Sequence, residues 1–404
     1  MKNINIYIKI IFIALVISIC FFVFIDNIPV SFFTENTVSG RGIKLIKDPG
    51  DFEVYFLRSF LFIGESPNGI KNFSEYPQLA LLFLTIPRFF VDNFFQYTKT
   101  LIIMLSLCFI SFLIVNIKLL KKINNNINYI WLLFLPSVIY FTFNRFDIFP
   151  ALLVQISLLL FFTKKYKSSF FVVGLAILAK WYAFLLLPIL FIYLKDRISK
   201  KKIYNLFLIL FFTIIIPFFI TLYCRGLLSV FEPYIFHSMR GKEPGSLYAL
   251  VPNFYMIKYI FIFLQFIGIF FVLLKAKIQN YKDIINWSAV LIMVFILFCP
   301  IFSPQWIIWF LPLLVLTADT KKLVFLIIFY DLINYLQFPI LHNINYSSYI
   351  FNIVVVIRSI FLIFIILEIS KKLKINNFKN KNISKNEDVF IDPFSRNRVS
   401  LPDT

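Results

Sequence analysis

The chain has 404 residues, of which 60% are hydrophobic and only 15% are charged, whereas about 25% of the residues in an ordinary soluble domain are charged. This composition excludes a soluble enzyme and predicts an all-α polytopic membrane protein. The net charge of +20 would suit a nucleic-acid partner, but the Lys and Arg residues stand in short clusters, such as KLLKK and TKKYK, between hydrophobic runs. Such clusters are typical of cytoplasmic membrane loops, so we expect a lipid bilayer and no nucleic acid as partner.

The first hydrophobic run, residues 5–25, follows a short basic segment, as in a signal peptide. No cleavage site of small residues follows it, so we expect a retained membrane anchor. The four cysteines are far apart and none belongs to a CxxC motif. This spacing predicts buried thiols and neither a disulfide framework nor a structural metal site.

Membrane spans are predicted from run length, because about 20 apolar residues cross a bilayer as a helix. The long runs are 5–25, 99–117, 203–222, 249–274, 284–301 and 346–369. Shorter runs are counted where Lys-rich clusters fix the side on which they begin or end, namely 129–143, 148–162, 305–317, 322–337 and 168–194, the last taken as two short tilted helices. The result is about 12 membrane helices in the plasma membrane, with both termini cytoplasmic.

Residues 26–98 are then one long extracytoplasmic loop. Its apolar run 79–91 contains Pro87 and Arg88 and is too short for a span, so we expect an interfacial or re-entrant helix there. A second substantial outer loop covers 223–248. Together these parts make residues 1–370 one multi-pass transmembrane catalytic domain, and residues 371–404 are predicted to be a basic, disordered cytoplasmic tail.

With this topology, the unusual polar residues all fall on the extracytoplasmic side, and an ionisable residue within the membrane is a functional candidate by default. The run YFTFNRFDIFPALLV becomes a hairpin with Arg145 and Asp147 at its outer tip, and Lys180 lies between the two short helices. The remaining candidates are Asp51, Glu75, His237, Arg240, Glu243 and Gln305. Structural alternatives stay open, since Arg145 and Asp147 could pair with each other and Lys180 could extend along the membrane interface.

Six short motifs occur in a characteristic order between residues 48 and 317. They are GDFEVY, EYPQLALLF, RFDIFPALLV, VGLAILAKWYAFLLLP, FHSMRGKEPGSL and SPQWIIWFLPLL. In this order they resemble the C-type glycosyltransferases and, more specifically, glycosyltransferase family 87, the mannosyltransferases that use polyprenyl-phosphate mannose. The resemblance implies a C-type glycosyltransferase fold and transfer of a hexose, most often mannose, on the extracytoplasmic face.

The resemblance also implies roles for individual residues. Asp51, with Tyr55 in a D-x-x-x-Y pattern, matches the acid that acts as catalytic base. The matched substrate-binding positions are Glu75 in EYP, Arg145 and Asp147 in R-x-D-x-x-P, Lys180 before an aromatic residue, and His237, Arg240 and Glu243 in an H-x-x-R-G-x-x-E type loop, with Gln305 starting a later helix. Three departures are Gln78 and Ala183, where the family usually has Pro, and a loop shortened by one residue before Glu243.

The chemistry suits these residue types. Transfer of a sugar from a lipid phosphate to a hydroxyl needs a carboxylate that takes the proton and cations that stabilise the departing phosphate. Asp51 can serve as the base, while Arg240, Lys180 and Arg145 can bind phosphate. A single base acting in direct displacement inverts the sugar carbon. We expect a polyprenyl-phosphate sugar donor, a lipid or glycan acceptor and no cofactor; no pattern indicates a divalent metal, although the chemistry permits one.

Two other functions remain open. A transporter or lipid-linked saccharide flippase would have internal repeats and charges near the membrane midplane, and the sequence shows no clear repeat. An O-antigen ligase or polymerase would carry its basic residues in a large late outer loop, whereas the late outer loops here are short apart from 223–248.

Overall fold

The computed structural model describes residues 2–26, 51–63, 75–251, 255–345 and 349–389. Within these ranges every regular element is a helix. The all-α class and the multi-pass membrane character predicted from composition are therefore confirmed.

Eight α-helices belong to the first half of the chain. They are α1 (Lys2–Asp26), α2 (Phe52–Ile63), α3 (Gln78–Thr85), α4 (Phe94–Lys122), α5 (Pro136–Asn144), α6 (Ile148–Phe162), α7 (Tyr166–Ala179) and α8 (Leu186–Leu194). Three 3-10 helices, Ile86–Phe89, Ile127–Phe134 and Trp181–Leu185, join some of them. Pro136 at the first position of α5 leaves Leu135 extended, because proline disfavours helical backbone in the preceding residue.

Eight more α-helices complete the described chain. They are α9 (Lys200–Arg225), α10 (Leu227–Met239), α11 (Tyr255–Lys275), α12 (Tyr281–Phe298), α13 (Ile307–Thr317), α14 (Lys321–Tyr335), α15 (His342–Asn345) and α16 (Tyr349–Val389). Short 3-10 helices occupy Leu247–Leu250 and Pro304–Trp306, and a π-helix occupies Leu336–Leu341. The start of α12 is fixed by a capping box in which Asn280 and Asp283 each bind the other's backbone amide, satisfying two orphan donors.

Among the described residues, seven helices are long and apolar enough to cross a membrane, or eight if a bent pair counts as one span. The bent pair joins Ile127–Phe134 to Pro136–Asn144 at an angle of 62°. Shorter apolar helices cover Gln78–Phe89, Ile148–Phe162, Tyr166–Ala179, Trp181–Leu194 and Pro304–Thr317. The predicted re-entrant run 79–91 corresponds to the first of these.

The helices differ sharply in burial, which separates the core of the bundle from its periphery. All residues of α13 are buried, and α12 is 72% buried over its most apolar window. The corresponding windows of α9 and α11 are only 17% and 6% buried, although both helices are rich in Phe and Leu. Apolar side chains exposed along a spanning helix face lipid, so α9 and α11 lie at the bilayer boundary.

Several boundaries differ from the sequence-based expectations. The predicted outer loop 26–98 contains an additional helix, α2, and α4 begins at Phe94, five residues earlier than expected. The expected span 249–274 begins as α11 only at Tyr255, and the second loop contains α10. α16 covers Tyr349–Val389 and so overlaps the predicted tail, which begins at residue 371; no proline or glycine interrupts the chain between Tyr349 and Pro393. Residues 27–50, 64–74 and 390–404 lie outside the described part of the predicted loop and tail.

Candidate active site

A cavity of about 430 Å³ opens at one end of the bundle, where several parts of the chain meet. They include the start of α2, the α5–α6 turn, the break after α7, the end of α10 and the segment between α12 and α13. We call it the polar cavity. Seven of the ten predicted site residues line it, namely Asp51, Glu75, Arg145, Lys180, His237, Arg240 and Gln305.

Asp51 stands at the N-terminus of α2, where its carbonyl accepts the first helical hydrogen bond from the Tyr55 amide at 2.8 Å. Its carboxylate lies 3.1 Å from Nε of Arg145. The Tyr55 hydroxyl donates to the same carboxylate oxygen at 3.4 Å. Burial raises the pKa of Tyr55 far above its usual value, and the Asp51 charge adds to this effect. Tyr55 therefore remains a neutral donor beside Asp51 and lies behind the cavity wall.

The two charges at the α5–α6 turn have different partners. Arg145 contacts Asp51, while Asp147 is fully buried and accepts hydrogen bonds from Lys180 Nζ at 2.8 Å and Trp309 Nε1 at 2.7 Å. The predicted alternative of a pair between Arg145 and Asp147 is thus replaced by two pairs with distant residues. Asp147 acts below the cavity surface, where it fixes the position of Lys180.

Lys180 occupies the break between α7 and the next 3-10 helix. Its backbone is extended, with φ of −161° and ψ of 127°, so that helix α7 ends there without a proline or glycine. The ammonium group lies 4.6 Å from the ring centre of Phe146 and 5.5 Å from that of Trp309. Cation–π contacts and the Asp147 carboxylate together stabilise a lysine among apolar helices.

The end of α10 brings His237 and Arg240 to the lining of the polar cavity. His237 Nε2 lies 3.3 Å from the carbonyl oxygen of Glu75, and burial, together with the charges of Arg240 and Lys180, lowers its pKa to about 4. His237 is therefore neutral near pH 7. Because the carbonyl can only accept, Nε2 carries the proton in this contact.

Glu75 contributes its carboxylate to an ion pair with Arg58, whose Nε lies 2.7 Å from Glu75 Oε2. Glu243 likewise pairs with Arg240, with 2.8 Å between Arg240 Nη2 and Glu243 Oε1. Glu243 does not line the polar cavity; it borders a smaller cavity of about 150 Å³, and the two cavities share Arg145, Ser303 and Gln305. The shortened loop before Glu243 thus still places this acid beside Arg240.

Aromatic side chains that sequence reasoning did not assign form much of the cavity wall. Trp309 stacks between Tyr182 and Trp306, with ring centres 4.4 Å and 4.6 Å away. Trp181 stacks on Tyr234 at 4.6 Å. The motifs AKWY and SPQWIIW contain the tryptophans, but such residues are also common at membrane interfaces, so their role depended on the three-dimensional arrangement.

Each cation of the site has an acidic partner. Among the described residues, the ion pairs of this site are Arg58–Glu75, Arg145–Asp51, Lys180–Asp147 and Arg240–Glu243. An anionic ligand must therefore compete with carboxylates for these cations. In the described ranges no group of three His, Cys, Asp or Glu side chains could hold a metal ion.

Comparison with known proteins assigns no family to this arrangement. No protein-family model matches the sequence, and no curated protein matches it significantly.

Proposed function

We propose that this chain is an integral membrane glycosyltransferase. It moves a hexose, mannose in the family it resembles, from a polyprenyl-phosphate sugar to a hydroxyl of a lipid or glycan acceptor on the extracytoplasmic face. One observation carries the proposal: a single cavity holds the Asp51 carboxylate, three cations and several aromatic faces. Such a cavity combines apolar walls with a few convergent charged groups, as ligand sites do.

Asp51 serves as the general base in this proposal. The acceptor oxygen bonds to the anomeric carbon, its proton passes to the Asp51 carboxylate, and the bond from that carbon to the phosphate oxygen breaks. The polyprenyl phosphate leaves with the electron pair, and the sugar carbon is inverted. Asp51 is about one-third exposed, which leaves its carboxylate open to an acceptor hydroxyl in the cavity.

Arg145 and Arg240 are the better phosphate ligands among the three cations. Both have planar guanidinium groups that can bind two phosphate oxygens, whereas Asp147 holds Lys180 from below. Arg145 also contacts Asp51, so a donor phosphate that takes over Arg145 frees the Asp51 carboxylate. Donor binding would then prepare the base, and Lys180 would add positive potential nearby.

The lipid part of the donor has an apolar route into the cavity. Phe236, Phe295 and Ile301 are among the residues that line the cavity, and the neighbouring helices α9 and α11 face lipid. A polyprenyl chain can therefore stay in the bilayer while its phosphate and sugar enter between these elements. This arrangement supports a lipid-linked donor over a soluble one.

The same proposal includes twelve membrane spans and a C-type glycosyltransferase fold. Twelve spans result if the bent pair and the short apolar helices, other than Gln78–Phe89, cross the membrane alongside the seven long helices. The C-type glycosyltransferase fold would then surround an outward-facing active site, with both termini cytoplasmic.

A transfer assay tests the function directly. Membranes containing the protein are incubated with a panel of radiolabelled polyprenyl-phosphate sugars, and label that leaves the donor lipid is measured. We expect one sugar to be transferred and an Asp51→Asn variant of equal abundance to transfer none. If label crosses the membrane while remaining on its lipid, the protein is a flippase, and an Asp51→Asn variant with normal turnover would contradict the assigned base.

A further inference from the structure

A second cavity of about 430 Å³ lies at the opposite end of the bundle. Its wall combines the α6–α7 turn with the start of α9. We call it the lysine cavity, and its lysines are Lys164, Lys165, Lys167 and Lys202. Helix α6 has 15 residues and runs from the polar cavity to this turn, so the two cavities are about 22 Å apart.

The lysine cavity contains no acidic residue among those that line it. Within the described part of the chain, none of its four lysines forms an ion pair, whereas Lys322 and Lys372 pair with Glu368 and Asp319 respectively. Four like charges around one cavity repel each other. A bound anion would remove this repulsion, and phosphate is the anion that several lysines bind well.

The positive-inside tendency explains why lysines occur at this end of the helices. It does not explain why two separate chain segments direct them to one cavity. Lys164 and Lys165 belong to the α6–α7 turn, Lys167 to the first turn of α7 and Lys202 to the first turn of α9. Their convergence is a feature of the tertiary structure and points to a ligand.

Apolar residues show what kind of anion fits. Ile198 and Leu206 form part of the cavity wall, and Leu206 is buried. Further along α9, Phe207 and Phe211 are about half exposed on a helix that faces lipid. A ligand with an anionic head and apolar chains could use both surfaces, whereas a free phosphate would use only the lysines.

We propose that the lysine cavity binds the phosphate headgroup of an anionic phospholipid, whose acyl chains lie along α9. The site is separate from the polar cavity and does not depend on the proposed transferase function. Bound lipid would connect the α6–α7 turn to α9 and so support the helices that carry the other cavity.

The test measures binding of acyl-labelled phosphatidylglycerol to the purified full chain in detergent. Phosphatidylcholine and inorganic phosphate are the comparison ligands. We expect phosphatidylglycerol to bind at least about tenfold tighter than phosphatidylcholine, because each lysine adds attraction to an anionic headgroup. The variant Lys164→Gln/Lys165→Gln/Lys167→Gln/Lys202→Gln should lose this preference.

The matched control removes four lysines from the same end of the bundle but outside the cavity, as Lys195→Gln/Lys275→Gln/Lys277→Gln/Lys282→Gln. It should keep the preference. Equal losses in both variants, equal binding of phosphatidylcholine, or displacement of phosphatidylglycerol by millimolar inorganic phosphate would each overturn the lipid site. If the first variant does not fold, Lys165→Gln/Lys202→Gln takes its place, with Lys195→Gln/Lys282→Gln as its control.

Discussion

Arg145 touches the carboxylate that we propose as the base, and this contact links donor binding to proton transfer at the scale of single residues. The distance of 3.1 Å between Arg145 Nε and Asp51 allows one guanidinium group to serve either the carboxylate or a phosphate. In the site without donor, the charges of Arg145 and Asp51 therefore neutralise each other until an anion binds Arg145. Mutations of single residues can separate these roles.

Replacing Asp51 by asparagine removes the proposed base with little change in shape. We expect Asp51→Asn to lower turnover by about 10²- to 10⁴-fold, the usual contribution of general base catalysis. The control is Glu53→Gln, because Glu53 is an exposed acid in the first turn of the same helix. The measurement is the initial rate of sugar release from the donor. Similar rates in both variants would contradict the role of Asp51 as the base.

Arg240 should contribute to donor binding through its guanidinium group. We expect Arg240→Gln to lower kcat/KM for the donor by about 10- to 100-fold, since a hydrogen bond to a charged group contributes about 1.5–3 kcal/mol. Arg58 would be a poor control because it pairs with Glu75 at the cavity wall. Arg225 Nη2 lies 3.2 Å from Glu232 Oε2, and neither residue lines the polar cavity. Arg225→Gln should therefore have little effect on kcat/KM. A similar loss in both variants would contradict a donor role for Arg240.

His237 should make stability depend on pH. Its pKa of about 4 in the folded chain lies below the usual 6.5, so the unfolded chain binds more protons between these values. The contribution of His237 to folding stability is therefore fully present above about pH 6.5 and is lost as the pH falls towards 4. We expect the apparent Tm of the wild-type protein to fall more between pH 7 and pH 5 than that of His237→Gln. Parallel Tm profiles would show that this histidine does not carry the effect.

At the scale of elements, α7 and α9 approach each other through a glycine. A Cβ atom on Gly174 would lie 2.7 Å from Thr213 Cγ2 and 2.9 Å from Thr213 Cβ. The Thr213 hydroxyl donates to the Ile209 carbonyl at 2.7 Å, which holds this side chain in place. Close packing here joins the helix that leads to Lys180 with the lipid-facing α9.

Gly174→Ala tests this approach. Alanine is about 1 kcal/mol more favourable than glycine within a helix, but overpacking against Thr213 costs about 1–3 kcal/mol. We therefore expect a lower apparent Tm. Gly174→Ala/Thr213→Ala should recover part of the loss, because the nearest methyl group is gone. Gly241→Ala, where a Cβ meets no atom within 4 Å, provides the control. A Tm unchanged by Gly174→Ala would contradict the close approach.

At the scale of the whole molecule, the two cavities define two faces of the membrane protein. Polar-cavity residues lie at one end of α6 and α7, and the four lysines of the lysine cavity lie at the other end. This separation agrees with the proposed orientation, in which the lysine-rich end is cytoplasmic. This orientation can be tested by labelling single cysteines from each side of the membrane.

Single cysteines report this orientation in a variant whose four native cysteines are replaced by serine. Gly241→Cys, near the polar cavity, should react with a membrane-impermeant thiol reagent in intact cells. Lys282→Cys, in the first turn of α12, should react only after the membrane is permeabilised. Both positions are exposed, so the reverse pattern would invert the proposed topology.

The sequence by itself determined the membrane class, the helical content and the grouping of Arg145, Lys180 and Arg240 at chain reversals. These features follow from the lengths of hydrophobic runs and the positions of Lys clusters, which are local properties of the chain. The additional helix α2 and the continuation of α16 escaped this reasoning, because short or polar helices leave no long apolar run.

Only the tertiary structure decided which residues meet. Asp147 binds Trp309, 162 positions away, and Lys180, 33 positions away, while Asp51 faces Arg145. Such pairs depend on how helices pack, and no local pattern encodes a contact between distant segments. The same reason explains the lysine cavity: the Lys clusters were visible in the sequence, but their convergence on one cavity arises from the packing of α7 against α9.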